Sequence, residues 1–219
     1  MPTPLDGELV VLLALRLHTL ADEATVATTT GLPVDQVSGV LQELADAGLV
    51  RERDGRVRGW MLLAPGRDAV TERLASELDA SGARPAVTDA YRRFLTVNQD
   101  LLDLCTRWQV RVVDGVEAPN DHADADHDGA VLAGLAAVDE VGQATCQELR
   151  AALDRFSGYG TRLADARRQV EAGETGALTG PSGSYHSTWF ELHENLLVTL
   201  GLERGHAPLE PTTPLQEVS

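Results

Sequence analysis

A chain of 219 residues that is 43% hydrophobic can bury one large core or two small ones, which excludes wholesale disorder. Its 34 acidic residues against 18 basic ones leave a formal charge of −16. This excludes a broad basic face, so any contact with nucleic acid must come from a local patch. All 18 basic residues are Arg, with no Lys and no Ile, as the codon usage of a GC-rich genome would produce.

Leu9, Leu12, Leu13, Leu17 and Leu20 recur at helical spacing and predict a first helix over residues 6–21. The apolar run within it, 9–15, is too short to span a bilayer. Acids before it and Arg16 after it give the wrong charge order for a signal peptide, so a cytoplasmic protein is expected. A short helix over 23–30 should stop at Gly31. Pro33 opens a third that runs to Ala47, turning Val34, Val37, Leu41 and Leu44 inward, and Gly48 ends it. Strands over 49–53 and 57–63 flank Asp54-Gly55, a strong hairpin signal. A further helix is expected over 67–78, then a hinge over 79–85 containing Ser81, Gly82 and Pro85.

Beyond the hinge the pattern is helical. Tyr91, Phe94, Leu95, Asn98, Leu101, Leu102, Cys105 and Trp108 share one face of a long helix. An acid- and His-rich loop is expected over 114–128. A helix with its seam from Val131 to Leu153 comes next, then one marked by Phe156 to Val170. After the Gly/Ser-rich break 173–184, Trp189, Phe190, His193, Leu196, Leu197 and Leu200 mark a last helix. The tail after Gly205 should fray. Cys105 and Cys146 sit in apolar helical stretches and read as core thiols, not as a disulfide framework.

The segment Thr30-Gly31-Leu32, the spacing Val37, Leu41, Leu44, and Ala47-Gly48-Leu49-Val50 together resemble the core of MarR-type winged helix-turn-helix regulators. So do the Arg-flanked Asp54-Gly55 turn and Leu63-Ala64-Pro65-Gly66-Arg67. The likeness covers about a third of the chain. It implies a homodimer whose third helix enters the major groove while the hairpin wing touches the backbone of double-stranded DNA. Carried onto this sequence, the groove-facing positions are Asp35, Gln36, Ser38, Gly39 and Gln42, and Gln36, Ser38 and Gln42 are the candidate base readers. No Arg lies on this helix. Arg51, Arg53, Arg56 and Arg58 cluster at the wing instead, and Arg53, Arg56 and Arg58 are the candidate phosphate contacts. The segment from Tyr185 to Asn195 resembles the C-terminal part of uncharacterised actinobacterial proteins often labelled as regulators, which implies no known activity.

Asp124, Asp126, Asp128 and Gly129 spell the opening of a calcium loop, but its twelfth position is Leu135 where a bidentate Glu is needed. A helix start capped by Asp128 accounts for the pattern better. His186 and His193 stand two turns apart with Trp189 between them, a spacing that does not chelate a metal. With Trp108 and Tyr159 they are candidates to line an effector pocket; packing as core histidines is the rival account. No nucleophile elbow, phosphate loop or dinucleotide fingerprint is present, and no cofactor, metal or catalytic residue is expected.

The expectation is a mainly α chain in two parts. A winged helix with a β-hairpin wing occupies residues 1–80. A four-helix assembly for dimerisation and effector binding follows over 86–204, then a tail over 205–219. The function expected is sequence-specific regulation of transcription. A winged-helix protein-docking module without DNA binding is the alternative, and a helical-bundle metal protein or enzyme is a third.

Overall fold

The computed structural model describes residues 6–202 apart from Val57 and Asp114. The tail beyond Gly205 and one residue of the expected second strand lie outside them. The chain is mainly helical. Its order is α1 (Gly7–His18), α2 (Glu23–Thr30), α3 (Val34–Asp46), β1 (Val50–Arg53), β2 (Gly59–Leu62), α4 (Ala64–Ser81) and α5 (Arg84–Gln109). Then come β3 (Val110–Val113), β4 (Val116–Pro119), α6 (Ala125–Ala152), α7 (Ser157–Glu171), the single turn α8 (Gly176–Thr179) and α9 (Tyr185–Leu200). Among the described residues no helix is long and apolar enough to cross a membrane.

Side-chain caps set several of these boundaries. The Asp6 carboxylate accepts from the Glu8 and Leu9 amides and opens α1, and Asp22 accepts from Thr25 to open α2. Between them the chain turns abruptly. Thr19 takes a positive φ of 64°, and the Leu20 amide bonds the His18 carbonyl at 2.6 Å. That turn delivers Ala21 to Trp60, where two backbone hydrogen bonds of 3.1 and 2.7 Å tie the α1–α2 corner to β2. The sheet pairs Val50 with Leu62 and Arg53 with Gly59, antiparallel.

The helix after the hairpin is longer than the sequence pattern predicts. It begins at Ala64 because Pro65 sits in the first turn, where a missing N–H is harmless. A Cβ on Gly66 would stand 2.1 Å from the Leu49 carbonyl oxygen, so α4 crosses the start of β1 only as glycine.

Two hydrophobic cores result. All seven residues from Leu9 to Leu15 are buried, so α1 is surrounded, and all but Val10 belong to the first core. It is enclosed by Val26, Val37, Leu41, Leu44, Trp60, Leu62, Val70 and Leu74. Val34 departs from the expected inward set: at the first turn of α3 it is half exposed. The second core is enclosed by α5, α6, α7 and α9, and Leu78 of α4 belongs to it, so α4 is common to both.

Three expectations are corrected by this arrangement. The hinge over 79–85 reduces to Gly82 and a buried Ala83 between two long helices. The apolar stripe on α5, within the assembly expected to dimerise, is largely buried in the chain's own core and is not a free surface for a second copy. Within that stripe the Asn98 Oδ1 accepts from Trp189 Nε1 at 2.9 Å. The loop over 114–128 holds a second hairpin, β3–β4, and the first turn of α6.

Candidate functional site

The β1–β2 hairpin carries Arg51, Arg53, Arg56 and Arg58, all exposed. Of these, only Arg58 has an ion pair among the described residues, a 3.5 Å contact with Asp54 in which both side chains are more than three-quarters exposed. Such a pair is screened and weak, so the tip keeps its positive field. The neighbouring face of α3 is different in character. Gln36 and Gln42 are exposed on it, but so are Asp35, Glu43 and Asp46, with no basic side chain. Ser38 is half-buried, and its hydroxyl donates to the Glu23 carboxylate of α2, so it fastens two helices together instead of standing free for a base.

The five expected pocket residues do not converge. Trp189 is buried and stacks on Phe94 with ring centroids 4.4 Å apart, and His193 lies 5.1 Å from the same ring. Trp108 is fourteen residues further along α5, about 21 Å at helical rise. There it packs on His122 and donates to the Thr175 carbonyl at 2.9 Å. Tyr159 lies on another side of α9, where its hydroxyl accepts from Asn195 at 3.0 Å. Burial pushes that phenol up to about 12. His186 is half-buried, and burial lowers its pKa.

The acid- and His-rich segment closes on itself as a helix start. The cap is Asp124, accepting from the His127 amide at 3.1 Å, and not Asp128 as the pattern suggested. Asp128 accepts from Asn120 at 2.8 Å and from His122 at 2.9 Å. Burial works against its ionised form, but these bonds and the nearby His122 hold its pKa below the usual carboxylate value. Among the described residues no three His, Cys, Asp or Glu side chains are grouped as a metal would need. Cys105 and Cys146 are buried free thiols, each pushed up to about 12 by burial.

A polar junction between the two cores was not anticipated. Arg155, in the 3-10 turn before α7, is almost wholly buried. It donates to Glu77 of α4 at 2.7 Å, to Asn195 at 2.6 Å and to Thr199 at 2.7 Å. Beside it, Arg162 of α7 donates to Glu191 of α9 at 2.6 Å, and His18 at the end of α1 shares a 2.8 Å hydrogen bond with Thr29. Burial lowers the pKa of His18, the Glu191 charge raises it in part, and Arg162 lowers it further. Between α2 on one side and α7 and α9 on the other runs a cleft of about 380 Å³, bordered by His18, Asp22, Arg162, Asp165, Thr188 and Glu191. The signal was present in the sequence: Thr188, Glu191, Asn195 and Thr199 recur at helical spacing, a polar stripe beside the apolar one.

No family model matches the chain, and no curated protein or solved structure matches it.

Proposed function

We propose that the chain is a DNA-binding transcriptional regulator of the winged helix-turn-helix kind. In this reading α1–α3 are its helical part, β1–β2 is its wing, and the helices from α5 onward serve dimerisation and effector response. The observation that carries the reading is the hairpin. In a chain of net charge −16, four exposed Arg side chains gather at one turn, and only Arg58 is ion-paired among the described residues. With acids on the exposed face of α3, affinity rests on the wing, while Gln36 and Gln42 remain the side chains able to read bases. Ser38 drops out of the reading set because its hydroxyl is committed to Glu23. The reading includes a homodimer binding two half-sites about one helical turn apart. It assigns the chain no catalytic step.

The test is a binding titration against the DNA upstream of the protein's own gene and against random DNA, over a range of salt. A dimer neutralising about 6 phosphates gives a log–log salt slope near −5. Arg56→Ala weakens binding to both DNAs alike and flattens that slope. Failure to bind any DNA at low salt overturns the reading. Asp35, Glu43 and Asp46 on one exposed helix face favour the second reading in that event, docking onto a basic protein surface.

A further inference from the structure

Thr188 lies on the wall of the cleft between α2 and α7–α9, is wholly buried, and its hydroxyl has no hydrogen-bond partner among the described residues. Other helical threonines here show what that position normally does. Thr28, Thr71, Thr106 and Thr145 each donate to the carbonyl four residues back, at 2.8–3.0 Å. At Thr188 that carbonyl belongs to Ser184 and accepts from the Ser187 hydroxyl at 3.1 Å instead. A buried hydroxyl left without a partner destabilises a fold, unless something bound beside it completes the bond.

The charges around the same cleft are unbalanced. Asp22, Asp165 and Glu191 border it against the single guanidinium of Arg162. Arg168, outside the cleft, also holds Asp165, so cleft and rim together keep a surplus of one negative charge. The volume of about 380 Å³ falls in the range of small-molecule sites, roughly 300–1,000 Å³. A surplus of one negative charge on a cleft of that size suits a small organic cation.

We infer that this cleft is a binding site for a small organic amine, its ammonium group drawn in by the acidic rim that Asp22, Asp165 and Glu191 contribute and a polar atom completing the Thr188 hydroxyl. Because Val26 of α2 packs in the first core while α7 and α9 build the second, the occupant braces the two cores against each other. The site stands independently of the DNA-binding reading.

Calorimetric titration of the full chain in phosphate buffer without DNA tests it. The probes are 2-aminoethanol, putrescine and spermidine, with propionate and glycerol as the anionic and neutral counterparts. At least one amine gives a saturable one-to-one heat. Thr188→Val weakens it about fivefold, the loss of one hydrogen bond, and Asp165→Asn, a surface change that leaves the core intact, also weakens it. No heat from any amine overturns the inference, as does amine binding unchanged in both variants. Binding of propionate or glycerol alone overturns the ligand class. If Thr188→Val fails to fold, Asp165→Asn decides. Failure of the DNA titration described above leaves this measurement untouched.

Discussion

The two cores are built on different chemistry. The first is closed almost entirely by Leu, Val and Ala around α1, with Trp60 as its one aromatic, and every buried polar or charged residue described lies outside it. In the second core and its junction the interior holds Asp139, Thr145, Ser184, Thr188, Glu191, His193, Asn195 and Thr199. An apolar core tolerates repacking, because any side chain of suitable volume will serve. A core crossed by hydrogen bonds admits fewer arrangements, since each buried polar atom must find its partner. The first region is therefore specified by volume and the second by pairing.

Substitutions sharpen that contrast. Arg155→Ala has the largest expected effect: it strands the Glu77 carboxylate and unties α9 at once, costing about 3–5 kcal/mol in denaturant unfolding. A loss below 1 kcal/mol would mean that the junction is held by packing, not by pairing. Tyr185→Phe comes next. The phenol donates to Asp139 at 3.1 Å inside the core, beside the donors of Arg167 and Gln143. Its removal should lower stability by about 1.5–3 kcal/mol, the range for hydrogen bonds to charged groups.

Thr19→Gly tests the first region from the other side. A β-branched residue at a φ of 64° is strained, so glycine there should raise stability by about 1 kcal/mol, read as an upward shift of the melting midpoint. The smallest effect is a pH slope. Unfolded, His18 takes up its proton near 6.5; folded, burial makes it do so only at lower pH. The unfolded state then binds more protons, so stability is full above 6.5 and falls as pH drops below it. His18→Gln should flatten that part of the stability–pH curve, leaving the contribution of His186, whose pKa burial also lowers.

The same contrast explains what could be read from the sequence. In the first region the signals are local, and α2 runs from Glu23 to Thr30 as expected, between the Asp22 cap and Gly31. The Asp54-Gly55 turn likewise announced β1 and β2. The identical Asp114-Gly115 signal, between Val110–Val113 and Val116–Pro119, is obscured by the acidic run after it, which reads as loop. Arg155 carries no periodic signature at all. Its partners lie 78, 40 and 44 residues away, so its role depends on how α4 and α9 meet. The expected pocket failed to assemble for a related reason: a shared helix face does not determine which neighbour it meets, and α9 turns His193 toward α5 and Asn195 toward α7.

The sharing of α4 has a mechanical consequence. Eighteen residues long, about 27 Å at helical rise, it runs from the hairpin to the turn at Gly82. Val70 and Leu74 are gripped at one station and Leu78 at the next, while Glu77 is clasped by Arg155. A rod seated in two bearings cannot pivot in one alone. A rigid displacement of α4 would therefore be passed to α9 through Arg155, which holds Glu77 on one helix and Asn195 and Thr199 on the other.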